Sequence, residues 1–161
     1  MQARKVSETA ITMAQQMLPS DANPMGNVHG GVIMKSIDNT AGAVAIRHAR
    51  NQAVTASIDR LDFFEPVYVG NVLVLKACVN MVGTTSMEVG VRVEAEDLIS
   101  GQVRHTASAY LTFVALDPQG RPCRVPPLEL QGPEEHRRYN EAVQRRKVRL
   151  AEKERERQGR H

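Results

Sequence analysis

Between Ser20 and Val32 the chain reads Ser-Asp-Ala-Asn-Pro-Met-Gly-Asn-Val-His-Gly-Gly-Val, a polar loop that delivers Gly30 and Gly31 into the start of an apolar-periodic segment. The first N–H groups of a helix lack intrahelical partners and carry the positive end of its dipole, so an oxygen gaining negative charge is stabilised there. Glycine lets a ligand approach those groups closely. One preorganised donor to a developing oxyanion is worth about 2.7–4 kcal/mol of barrier. Glycines that only permit tight packing are the other reading of the same pair. Asp38 stands seven positions beyond Gly31, close to two helical turns, and so shares a helix face with Gly31, Lys35 and Gly42. Aspartate is a poor helix former, and a carboxylate on an enclosed helix is costly unless it is hydrogen-bonded, paired or functional. An ordinary pair with Lys35 is the alternative. The pattern alone leaves both open.

Other chemistries find no support in the spacing. There is no Gly-x-Ser-x-Gly elbow for a serine nucleophile. Gly26-Asn-Val-His-Gly-Gly31 lacks both the Gly-Lys-Ser/Thr of a Walker loop and the Gly-x-Gly-x-x-Gly of a dinucleotide site. The histidines never fall at His-x-x-x-His spacing and no carboxylate cluster accompanies them, so no metal site is expected. Cys78 and Cys123 stand apart from any CxxC or Cys/His grouping and are expected to be plain thiols.

The elements that must position these residues follow from periodicity. Met34, Ile37, Ala41, Val44 and Ala45 recur at spacings of three and four, which predicts a helix over Gly30–Arg50. Its other positions include Ser36, Thr40, Gly42, Ala43 and Ala49, small enough for close enclosure by other backbone, so the helix is expected to be buried. Alternation over Val72–Val82, Ser86–Glu96 and Val103–Ala115 predicts three long strands, joined at Val82-Gly83-Thr84 and Leu98-Ile99-Ser100-Gly101 as an antiparallel meander. Between Val54 and Phe64 the apolar parity flips, which predicts a β-bulge near Asp59-Arg60. Lys5–Met13 reads as a weaker first strand. One apolar helix with long antiparallel strands and few connecting residues is an α+β pattern in which the sheet must curl around the helix.

With 161 residues the chain is expected to form one domain over residues 1–130, followed by a charged helical tail over residues 131–161. Tyr139, Val143 and Leu150 form a thin apolar stripe on that tail, which could dock weakly or extend into solvent. Residues 134–161 hold ten Lys/Arg against six Asp/Glu, which leaves positions 1–133 with a net charge of −1. The body therefore has no broad basic face to follow a phosphate backbone, and nucleic acid is not an expected partner. Arg60, Lys76, Arg92 and Arg104 read as outward-facing, solvated strand charges. No apolar run approaches a membrane span and Met1-Gln-Ala-Arg-Lys lacks a secretory stretch, so a cytoplasmic protein is expected.

Met17-Leu-Pro-Ser-Asp-Ala-Asn23, Gly26-Asn-Val-His-Gly-Gly31, Met34-Lys-Ser-Ile-Asp38 with Ala41-Gly42, Phe63–Gly70 and Thr85-Ser-Met-Glu88 together resemble the acyl-CoA hydrolase branch of the hotdog-fold thioesterases. This branch holds the cytosolic brain-type enzymes and short bacterial relatives, and the resemblance covers roughly Thr12–Pro127. It implies a hotdog fold and hydrolysis of acyl-CoA to free CoA and a carboxylic acid. Asp38 takes the catalytic role as general base or nucleophile, Asn23 orients water or carbonyl, and the Gly31 N–H polarises the thioester. Asn27, His29 and Gly30 of the same loop, and the Thr84-Thr85-Ser86 turn for the nucleotide end of CoA, are the implied substrate-binding residues. No cofactor is implied beyond CoA as part of substrate and product. The expected assembly is a homodimer sharing each site between subunits, carried further to a hexamer built as a trimer of dimers. The chain departs from the family pattern at Asn39, where relatives often have an acidic residue. A non-catalytic acyl-CoA-binding hotdog protein, or a nucleic-acid module using the basic tail, are the competing readings.

Overall fold

The computed structural model describes residues 1–160, so His161 at the end of the tail lies outside the described residues. In chain order the elements are β1 (Arg4–Lys5), α1 (Val6–Thr9), β2 (Ile11–Gln16), a 3-10 turn (Pro19–Asp21), α2 (Gly30–Ala49), β3 (Gln52–Phe63), β4 (Val72–Val82), β5 (Ser86–Glu96), β6 (Val103–Leu116), β7 (Leu128–Glu129) and α3 (Gly132–Gly159). Five strands form one antiparallel sheet in the order β2-β4-β5-β6-β3, while β1 and β7 pair separately. The sheet curls around α2, which touches all five of its strands. This is the hotdog arrangement expected from one apolar helix and a long meander.

The helix begins at Gly30 as the periodicity predicts and stops at Ala49, where Arg50 turns into the left-handed region (φ 55°) and closes the last turn onto Ile46. Its buried face is Ile33, Ile37, Ala41, Val44, Ala45 and Ala49. Gly42 leaves room for the Phe113 ring, which a Cβ there would meet at 3.6 Å. Enclosure is one-sided, however. Met34, expected inside, is 40% exposed, and Ile33 takes the inner position instead. In one chain the sheet leaves the helix face carrying Met34 and Ile46 uncovered.

The bulge expected near Asp59-Arg60 is present, and a second lies just before it. Pairing of β3 with β6 skips Ala56 and then Asp59, the two positions where the register shifts. β3 is also an edge strand, with Val54 47% and Ile58 43% exposed. The expected strand over Lys5–Met13 is replaced by the helical turn α1 and a strand starting only at Ile11. Glu8 accepts from the Lys5 N–H at 2.7 Å and the Ala10 N–H donates to Val6 O, a local closure that strand pairing would have to break.

The tail differs from the sequence expectation in how it docks. α3 spans 28 residues and lies against the outer face of the sheet. Ala142 is its buried apolar contact, whereas Leu150 of the expected stripe is 51% exposed. Arginines make the attachment. Arg145 donates through two nitrogens to the carboxylate of Glu88, itself 2% exposed, and stacks 3.6 Å over the Tyr110 ring. Arg149 donates to Asp59 at the second bulge at 2.8 Å. Asp59 accepts further bonds from Thr112 and Ser57, and Glu88 accepts from Asn80. Carboxylates taken out of water need such partners.

Candidate active site

Three backbone bonds shape the loop before α2. Asn23 N–H donates to Asn27 O, His29 N–H to Asp21 O, and Val28 N–H to Val67 O, which fixes the loop against the Phe63–Val67 turn. A shallow cleft results, lined by Asn23, Asn27, Gly30, Phe63, Phe64 and Glu65. Asn23 Oδ1 accepts from the Met25 N–H at 2.9 Å. The Asn27 side-chain oxygen is buried with no partner among the described residues.

At the helix tip the two glycines differ. Gly31 N–H donates to Nδ1 of His29 at 2.9 Å, so His29 caps the helix with its ring. The Gly30 N–H has no acceptor among the described residues. Helix geometry puts Asp38 about 12 Å further along the axis. Its carboxylate accepts a 2.6 Å hydrogen bond from Thr55 Oγ1 on β3, not an ion pair from Lys35. Thr55 is a candidate site residue that the sequence reading missed. Only its pairing opposite Phe113, next to the first bulge, aims it at the helix, and local sequence does not encode that.

The turn at Thr84-Thr85-Ser86 lies at the other end of the sheet from the cleft, since Ser86 pairs with Val114 and Val114 with Val54, whereas the cleft borders Phe63. One chain therefore gathers Asn23, Asn27, His29, Gly30 and Gly31 at one end. Asp38, Thr55 and the turn lie toward the other. Arg104, expected to be solvated, instead donates to Glu65 and Pro66 O and lies 5.5 Å from the Tyr68 ring, pinning the wall of the cleft. Among the described residues no cluster of three or more His, Cys, Asp or Glu could hold a metal ion, and no helix is long and apolar enough to cross a membrane.

A curled antiparallel sheet wrapped around one central helix defines the hotdog class of proteins. The chain belongs to the thioesterase superfamily, whose model matches residues 25–101. The uncharacterized acyl-CoA thioester hydrolase YkhA of Bacillus subtilis is 39% identical over 89% of this chain and 84% of its own length. The human cytosolic acyl coenzyme A thioester hydrolase is 37% identical over 84% of this chain, which spans only 36% of that longer protein. The acyl-CoA hydrolase of Staphylococcus aureus, solved with butyryl coenzyme A and coenzyme A, superposes with a TM-score of 0.90 at 36% identity, covering 98% of this chain and 96% of that one. That enzyme has also been solved with an aspartate, an asparagine or a threonine replaced by alanine. An apo-hexameric acyl-CoA thioesterase superposes at 0.91 with 38% identity over 94% of this chain and 97% of that one.

Proposed function

We propose that this protein hydrolyses acyl-CoA thioesters, with the helix tip of one subunit and Asp38 of its neighbour forming each site. The observation that carries this is the pairing of a half-buried, Thr55-bound carboxylate on α2 with an open N–H at the tip of the same helix, too far along the axis to meet in one chain. An antiparallel pairing of β3 with its own copy would set the Phe63 end of one strand beside the Gln52–Thr55 end of the other. The Gly30-Gly31 tip of one subunit would then approach the partner's carboxylate. The uncovered apolar groups Met34, Val54 and Ile58 flank this edge and favour such a pairing.

In this reading the thioester carbonyl accepts from the helix-tip N–H groups, with Gly31 becoming available once His29 swings aside. Asn23 orients the carbonyl or the attacking water. Asp38 removes a proton from a water that attacks the carbonyl, or attacks the carbonyl itself to give a mixed anhydride that water then hydrolyses; on either route the thiolate leaves as CoA and the acyl group ends as the carboxylic acid. The three altered positions of the Staphylococcus enzyme have the same spacing along its chain as Asn23, Asp38 and Thr55 have along this one, which supports their selection. Asn27, His29, Gly30 and the Thr84-Thr85-Ser86 turn are assigned to substrate binding. A hexamer built from such dimers and a cytoplasmic setting, without a resident metal, complete the proposal. Residues 1–130 form its catalytic domain, with the tail bound to it.

Mixed dimers test the shared site. Asp38→Ala subunits are expected to lose about 10²–10⁴-fold in kcat, the range for a missing proton-transfer group, and Asn23→Ala subunits about 10²–10³-fold, the scale of one lost positioning hydrogen bond. Co-expressed, they should regain activity, because one site of each mixed dimer unites an intact Asn23 with an intact Asp38. Mixed dimers as inactive as the parents would place both residues in one subunit's site.

A further inference from the structure

We infer that Arg146 of α3 completes an anion site at the Thr84-Thr85-Ser86 turn and binds a phosphate of the substrate's nucleotide end, which makes the tail helix part of the substrate site. The inference rests on the reading that this turn receives that end of CoA.

Two side chains converge on Gly83. A Cβ placed there would lie 2.9 Å from Ser86 Oγ and 3.2 and 3.4 Å from the two terminal nitrogens of Arg146. The hydroxyl and the guanidinium thus flank one point, and any larger residue at position 83 would displace one of them. The hairpin uses its carbonyls, with Thr84 O accepting from Val125 N–H, Thr85 O from Ala115 N–H and Ser86 O from Gly83 N–H. The N–H groups of Thr84 and Thr85 have no acceptor among the described residues. Successive free amides in a turn form a concavity that suits an anion.

The charge is also uncommitted. Arg137, Arg138, Arg145 and Arg149 on the same helix all pair with carboxylates, whereas half-buried Arg146 has no ion pair among the described residues. Glu88, close in sequence to the turn, is already satisfied by Arg145 and Asn80 and does not compete. Exposed Arg124 adjoins Val125, whose amide bonds the turn, and adds a second positive charge nearby. A planar guanidinium, two amides and a hydroxyl match the geometry of a phosphate monoester or diphosphate.

Truncating the substrate separates this role from a structural one. Butyryl-CoA and S-butyryl pantetheine carry the same thioester, but only the first has the nucleotide. Arg146→Gln is expected to raise KM for butyryl-CoA about tenfold, the scale of one lost charge-assisted hydrogen bond, with kcat unchanged. KM for the pantetheine ester should not move, and Arg146→Lys should retain part of the affinity. An unchanged KM for butyryl-CoA, or an equal rise for both substrates, would overturn the role of Arg146. Thr85→Val and Ser86→Ala report on the underlying reading separately. If they weaken butyryl-CoA alone while Arg146→Gln does nothing, the turn holds the nucleotide without the arginine. If none of the variants distinguishes the two esters, the turn is not the nucleotide site.

Discussion

Nδ1 of His29 accepts the Gly31 amide proton at 2.9 Å, so a loop side chain holds one of the two donors at the tip of α2 while the Gly30 amide stays open. Under the proposed mechanism, helix capping and carbonyl binding compete for Gly31.

Substitutions can separate the two donors. His29 has extended backbone angles (φ −62°, ψ 130°), which a following proline accepts, and Gly30 is the first helical residue, where proline costs no helix bond. Gly30→Pro should fold normally, since a Cβ there meets only Phe63 at 3.9 Å. If the Gly30 amide holds the oxyanion, kcat falls by about 2.7–4 kcal/mol of barrier. His29→Ala should lower stability by about 1 kcal/mol through the lost cap, read from thermal melts.

Thr55 holds Asp38 by a single bond of 2.6 Å. Thr55→Val keeps the shape of the side chain and removes only the donor. It should reduce kcat about 5- to 150-fold, about 1–3 kcal/mol of barrier, and leave KM for acyl-CoA nearly unchanged. Thr55→Ser should restore most of the rate. Full activity in Thr55→Val together with loss in Thr55→Ser would mean that the methyl group, not the hydroxyl, matters.

His48 is fully buried, with its Nε2 2.8 Å from Pro126 O and Nδ1 unpartnered. Burial pushes its pKa down from 6.5, opposed by the bond to Pro126 and reinforced by Arg4. The folded state therefore resists protonation that the unfolded chain accepts. Stability from this residue is full above pH 6.5 and is lost as pH falls below that value. Melting temperature should drop on acidification from pH 7.5 toward 5.5, on the order of the His titration range. In His48→Gln, which keeps a donor for Pro126, that part of the slope should vanish.

Arg149 ties α3 to Asp59, whose side chain is 5% exposed at the second bulge of β3. Arg149→Met leaves a buried carboxylate without its cation and should cost about 3–5 kcal/mol in denaturant melts. Asp59→Asn combined with Arg149→Met should recover much of this loss. Amide exchange in β3 should rise in the single variant and not in the pair.

Much of this molecule could be read from its residues. The start of α2, the three long strands and the bulge at Asp59 follow from periodicities of 3.6 and 2, which burial enforces wherever an element has one apolar face. Sequence also singled out the glycine-led tip and the mid-helix aspartate. What stayed hidden depends on pairing between distant segments. Thr55 meets Asp38 only because β3 lies beside α2, and Arg145 meets Glu88 across 57 positions. The tail misled because its attachment is polar. A search for apolar stripes favours Leu150, whereas arginines spaced three or four apart seek buried acids that look ordinary in strands with one wet face.

Two of those acids have a consequence for how the polypeptide is made. Glu88 and Asp59 leave the ribosome well before Arg145 and Arg149, because α3 follows the whole sheet in chain order. A nascent chain halted before position 132 would carry two carboxylates that cannot be desolvated cheaply, so the outer layer closes only after translation of the last helix.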